Sequence, residues 1–320
     1  VGSEMCIRDS SITKPGGNPN QGYTMRLRGM STIGANTQPL VVIDGVVGGS
    51  LDNVDPNDIE SMDVLKDGSA AAIYGTRGSS GVIIVTTKKG RRGTAHIDYN
   101  GMVTLESVGK YPNVMSSDEW RTLSAETGEG TDFGYDTNWF EETTQNAIQQ
   151  THNLSLSGGS DKTTYMASFN YRDGDGVAIN TGYTQYNGRL NLSQKAINDR
   201  LTVDLNIGAT SRESQYGFNE AFRYASIYNP TAPVRSYDPA YYIYDGYFQQ
   251  ILFDYRNPVA MLEQNVNEGK DQRINVALKG TFEIIEGLKV DAFYSIQNQN
   301  FARGSYRDKN SYGTGMDRNG

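Results

Sequence analysis

From about residue 94 onward the chain alternates apolar and polar side chains with a period of two. That pattern restricts what it can fold into more than any other feature. Leu201, Val203, Leu205, Ile207 and Ala209 are separated by Thr202, Asp204, Asn206 and Gly208. Tyr165, Ala167, Phe169 and Tyr171 alternate with Thr164, Met166, Ser168 and Asn170, and the same holds around Ile274–Ile284 and Leu288–Ile296. Weaker versions run through 97–105, 154–156 and 186–192. Period two means β-strands with one apolar and one polar face. Several of these runs exceed the ~5–6 residues common in globular strands. They suit the ~9–11 residues with which a tilted strand crosses a bilayer.

The links between the runs point the same way. A long excursion, 108–148, succeeds the first strand, expected at about 95–107. The next strands are joined through Gly158–Lys162, then 173–182, then Gln194–Asp199. A long irregular stretch, about 213–268, precedes the tight turn Glu286-Gly287. Alternation of long and short links is the pattern of an up-and-down outer-membrane barrel, with short periplasmic turns and long external loops. A soluble β-sandwich is the competing reading of the alternation alone, but a loop as long as 213–268 fits a compact domain poorly.

Ahead of the strands lies a different kind of segment, expected as a small α/β domain over 11–93, with barrel strands over 94–320. Residues 1–10 match no pattern in the rest of the chain; they read as an adapter-like, non-native stretch and are set apart, Cys6 included. Pro39–Asp44 is a continuous apolar run, and Asp44-Gly45 is a tight-turn pair leading into Val46-Val47. Asp55, Pro56 and Asp58 give a cap, a first-turn proline and an acid, the signature of a short helical turn before the strand Glu60–Lys66. Ser69 can cap a short helix ending at Tyr74, with Gly75 as its stop, and Gly81–Thr87 is the next strand. Gly75, Gly78 and Gly81 are spaced as in a phosphate loop, but here a helix precedes a strand, the reverse of the order that aims helix amides at an anion.

Composition removes other classes. The net charge of −8 argues against a phosphate-binding nucleic-acid protein. One cysteine and two histidines, His96 and His152, give no basis for a metal cluster or histidine catalysis. Glu141-Glu142 reads as a solvated loop face, and Asp173-Gly-Asp-Gly176 as a turn without the later Glu of a calcium loop. No catalytic residue, metal or cofactor is called for. Both histidines are expected at strand starts, solvated or facing a lumen.

The N-terminal motifs then carry a resemblance. Arg28-Gly29, Pro39–Gly45, Ile59–Asp67 with Lys66 and Asp67, and Ser69–Ile83 with Tyr74, Gly75, Arg77, Gly78 and Gly81 resemble the plug domain of TonB-dependent outer-membrane receptors, in the SusC/RagA-type branch. Gly158–Tyr165 resembles that branch's turn into an early barrel strand. The resemblance implies an outer-membrane barrel of about 22 strands occluded by the plug. It implies import of oligosaccharides or peptides, energised by TonB, beneath a SusD-like lipoprotein lid. A non-transporting adhesin or signalling receptor on the same barrel is the alternative. The segment that TonB grips is missing from this sequence, and ~7 of the ~22 strands are present, so a fragment is expected.

Two groups of residues are candidates for function. Some of the charged plug residues Arg28, Asp44, Lys66, Asp67 and Arg77 are expected to form ion pairs within the plug or with the barrel wall, the bland account being turn hydrogen bonds and surface charge. Aromatic side chains of the long loops, Trp120, Trp139, Tyr228, Tyr241, Tyr242, Tyr244 and Tyr247, offer flat faces with polar tips for sugars or peptides. The bland account of the same tyrosines is mutual packing within a folded loop.

Overall fold

The computed structural model describes residues 10–13, 18–22, 24–27, 38–65 and 72–313. Three sheets organise them. Strands β1 (Ser10–Thr13) and β2 (Thr24–Leu27) form an antiparallel pair. Next comes a four-stranded sheet, in the order β4 (Val46–Val47), β3 (Leu40–Ile43), β6 (Val82–Thr87) and β5 (Ile59–Leu65). The third is a seven-stranded antiparallel meander of β7 (Gly93–Glu106), β8 (Ala147–Gly159), β9 (Thr163–Asp175), β10 (Gly182–Ala196), β11 (Leu201–Gln215), β12 (Asn265–Ile285) and β13 (Leu288–Arg307). It contains the strands that the alternation predicts.

In the small sheet β3 and β6 run parallel, pairing Leu40 with Val82 and Ile43 with Val85. Parallel central strands are covered on both faces, and Val42, Val82 and Val85 are accordingly buried. Met25, Val41, Ile43, Val54 and Ile83 close the core. Asp44 and Gly45 both adopt positive φ, 50° and 85°, which matches the twist of a two-residue hairpin between β3 and β4. Asp55 caps the 3-10 turn Pro56–Asp58, accepting from the Asn57 amide at 2.7 Å.

Pairing in the large sheet puts Leu190, Ile207, Val276 and Ile296 in one row and Asn191, Asn206, Ala277 and Ser295 in the next. One face is therefore an apolar band and the other is amide- and charge-rich. The band is largely exposed: Ile97, Val103, Leu105, Ile274 and Tyr294 all lie open. Across it Tyr99, His152, Tyr171 and Tyr186 form a ladder of rings at 6.1, 6.1 and 5.3 Å. His152 thus lies inside β8 on the apolar face, with the Tyr99 hydroxyl 2.7 Å from its Nδ1. The expectation of a strand start for His152 is corrected: it lies inside β8, opposite Tyr171 of β9 and bonded to the Tyr99 hydroxyl.

The long links fold. Helix α1 (Ser117–Thr127) starts in a capping box of Ser116 and Glu119 and stops at Gly128, φ 71°. Helices α2 (Trp139–Glu142), α3 (Glu220–Ile227) and α4 (Pro258–Glu263) gather the two long links into one aromatic core. The second link spans 216–264, shorter than expected, because β11 runs to Gln215 and β12 begins at Asn265. The added ends, 213–215 and 265–268, hold Val266 as their single apolar residue and so show no alternation to announce a strand.

Candidate functional site

The small sheet sits against the polar face of β8–β11, and the contact is made by buried polar groups. Asp44, at the tip of the β3–β4 hairpin, receives the Thr87 amide at 2.9 Å and its hydroxyl at 2.7 Å. It also pairs with Arg189 of β10 at 3.1 Å, both side chains nearly buried. Asp55 uses one carboxylate oxygen for its cap and the other for Asn170 of β9 at 2.5 Å and Arg172 at 2.8 Å. Asp58, on the same turn, accepts from Ser168 at 2.6 Å. Asn191 of β10 donates to the Thr87 hydroxyl and the Lys88 carbonyl, and Gln185 donates to the Asp52 carbonyl. One strand, β10, therefore meets the unit at Gln185, Arg189 and Asn191 in succession. Alternation explains this: only every second residue faces inward, and those residues are polar.

Burial raises the Asp58 carboxyl above the usual carboxylate range, against the lowering effects of the Ser168 hydrogen bond and Arg189. Asn153 of β8 adds a further lowering effect. Pairing with Arg172 offsets the burial of Asp55, since an unpaired buried carboxylate is strongly unfavourable.

Above this seam a cleft of about 470 Å³ opens between the turns of the small unit and the strand wall. Asn20, Asp52 and Asp55 line one side, and Arg172, Gln185 and Arg212 the other. Arg212 lies 3.9 Å over the Tyr183 ring and donates to Gln185, Asn20 and the Pro19 carbonyl. Charge, amides and rings together suit a polar ligand.

Of the plug residues singled out from sequence, Asp44 and Gly45 lie in the seam. A Cβ on Gly45 would stand 3.1 Å from the Phe293 ring of β13, so glycine serves both the turn and this close approach. Tyr74, Gly75, Arg77, Gly78 and Gly81 lie on the turn before β6. There Gly75 and Gly81 have φ of 62° and 90°, Gly78 is buried and Arg77 is exposed. Arg28, Gly29, Lys66 and Asp67 fall outside the described residues.

The loop aromatics divide. Trp139, Tyr228 and Tyr247 lie in the links' shared core and Tyr244 is also buried. Trp139 donates to the Asn229 carbonyl at 2.9 Å and meets Tyr228 edge-on at 4.8 Å. Tyr228 stacks on Tyr255 at 4.6 Å. Burial pushes the Tyr228 and Tyr247 hydroxyls up, and that of Tyr255 to about 12. Tyr247 also bonds Glu263 and Arg235. Tyr241 packs at the margin of the core, Trp120 donates to the Thr131 carbonyl, and Tyr242 is exposed.

Sequence reasoning missed Asp58, Arg172, Arg189, Asn170, Asn191 and Gln185 as site residues, and read Asp55 only as a cap. The signal of those on β9 and β10 is polar residues at inward positions of strands, identical to that of residues facing water.

The TonB-dependent Receptor Plug Domain family matches residues 3–82. The TonB-dependent receptor SusC of Bacteroides thetaiotaomicron is 32% identical over 85% of this chain, which spans 29% of that protein. The TonB-dependent receptor P3 of Formosa agariphila is 32% identical over 91% of the chain and 30% of its own length. Thus the chain spans less than a third of these relatives. Among solved structures, the RagAB peptide importer in its closed-closed state superposes with a TM-score of 0.78 at 24% identity, covering 96% of this chain and 39% of that one.

Proposed function

We propose, from a chain that carries the plug domain and antiparallel strand sheet of a SusC/RagA-type TonB-dependent receptor, that it acts in import across the outer membrane. The small domain, read as 11–93, is the plug, and 94–320 is wall. The cargo is an oligosaccharide or a peptide; the RagAB neighbour is a peptide importer. Energised TonB moves the plug, and a SusD-like lipoprotein closes the outer side. In this reading the apolar band of the wall faces outer-membrane lipid, and the reaction needs no catalytic side chain.

The observation that carries the proposal is the seam. A plug that must shift and return needs contacts that hold it in register without sealing it in an apolar core. Hydrogen bonds and ion pairs do this, because water replaces them when they open and the net loss per bond is only ~1 kcal/mol. Asp44–Arg189 and Asp55–Arg172 set the register, and the cleft beside Arg212 gives the ligand a place to touch plug and wall together.

The test is uptake by cells carrying the full-length receptor. Labelled oligosaccharide or peptide is expected to accumulate and to stop accumulating when the proton gradient is dissipated. Surface binding that survives such treatment, with no internalised label at any time, would instead identify an adhesin or signalling receptor.

A further inference from the structure

The two ends of the seven-stranded sheet carry opposite charge. At one end the links 107–146, 176–181 and 216–264 hold thirteen carboxylates and five Lys or Arg. At the other end the segments 88–92, 160–162, 197–200 and 286–287 hold six cations, Lys88, Lys89, Arg91, Arg92, Lys162 and Arg200, against Asp161, Asp199 and Glu286. A chain of net charge −8 thus gathers a positive collar at its short-turn end. Short turns mark the periplasmic side of such a barrel.

The collar is held in place. Gly90, midway along the basic run, packs against the backbone of Tyr165 so closely that a Cβ would fall 2.3 Å from it. The Lys88 carbonyl accepts from Asn191 at 2.7 Å. Arg200 bonds the carbonyls of Glu283 and Ile284 and lies 5.9 Å over the ring of Phe282, at the lower margin of the apolar band. All six cationic side chains are exposed. Among the described residues Arg92–Asp161, at 3.5 Å, is the ion pair they form, and both of its partners are solvated. Six cations thus stand against three carboxylates, and Arg200, over Phe282, is the one placed at the margin of the surface that would meet lipid tails.

We propose that this collar binds the phosphate headgroups of anionic phospholipids in the periplasm-facing leaflet. The proposal rests on the outer-membrane reading above. Clustered basic residues beside a bilayer are drawn to anionic headgroups, and the attraction is local because salt screens it within ~10 Å at 0.1 M. Since 88–92 joins the plug to β7, lipid bound there would anchor the plug's tether to the membrane.

The test uses the full-length receptor in nanodiscs of phosphatidylcholine containing a minor fraction of phosphatidylglycerol. Protein-associated lipid is measured by native mass spectrometry. Wild type is expected to enrich phosphatidylglycerol roughly five- to tenfold over its bulk fraction. Lys89→Gln, Arg91→Gln, Arg92→Gln and Lys162→Gln combined should abolish the enrichment, while the same four sites as Lys→Arg and Arg→Lys should keep it. Unchanged thermal unfolding in detergent certifies that the Gln variant is folded. Equal enrichment in wild type and the Gln variant, or none in either, overturns the proposal. Competition by millimolar inorganic phosphate would assign the site to free phosphate instead, and overturn the lipid assignment. A receptor that does not enter nanodiscs at all would overturn the membrane reading itself, a distinguishable failure.

Discussion

The seam and the loop core are both buried contacts between segments far apart in sequence, yet they are built from opposite materials. Between plug and wall the partners are carboxylates, guanidinium groups and amides: Asp44 with Arg189, Asp55 with Arg172 and Asn170, Asn191 with Thr87. Between the two long links they are rings: Trp139, Phe140, Tyr228, Tyr247 and Phe248. The first kind of contact trades evenly with water when it opens. The second loses apolar burial at about 25 cal/mol per Å² and has no comparable exchange. One boundary is thus made of contacts that water can replace, and the other of contacts that it cannot.

Substitutions on either side put that division at risk. The largest effect is expected from Trp139→Ala, which removes the central ring of the loop core and the bond to Asn229. The loops should lose about 3–5 kcal/mol, read as early proteolysis of 107–146 and 216–264 while the strands stay protected. Asp55→Ala comes next, leaving Arg172 without its carboxylate at a nearly buried site. A loss of about 3 kcal/mol should appear in plug docking, measured by hydrogen exchange of β5 and β6, with the loops untouched. If Asp55→Ala instead melted the loops, the two regions would not be separate.

A smaller effect belongs to pH. The Asp58 carboxyl is raised in the docked plug. As pH climbs from the ordinary carboxyl value through the raised one, the undocked form has already lost its proton while the docked form keeps it. Docking then takes up a proton and weakens as pH rises, with the full benefit below the ordinary value. Asp58→Asn should flatten that part of the dependence when plug exchange is tracked across the acid range. Smallest is Tyr242→Ala: this side chain is exposed, so stability should move by less than about 0.5 kcal/mol, and any change in ligand retention would mark it as a contact residue.

Much of the wall was legible because burial on one face of a sheet writes itself as a period of two. The hairpin at Asp44-Gly45 was legible because few residue pairs tolerate two positive φ values in succession. The seam was not. Arg189 and Asn191 alternate with Leu190 and Leu192 whether the polar face meets water, lumen or plug. Asp55 has a complete local explanation as a cap, which conceals its bond to β9. The loop aromatics left ligand faces and mutual packing both open, because composition does not reveal that Trp139 and Tyr228 meet each other. Pairing across a hundred residues is a property of the folded topology, and no local pattern encodes it.

The successive contacts on β10 also have a mechanical meaning. Gln185, Arg189 and Asn191 grip the plug along ~20 Å of one strand, like rungs on a rail. A tug running parallel to the rail loads every rung together, the shear arrangement, in which resistance adds. A tug that peels the plug sideways loads one rung at a time, as a zipper opens, and never meets more than one at once. The same bonds are therefore strong or weak according to the direction of pull: contacts on such a rail resist a load along β10 and yield to a smaller one applied at one edge.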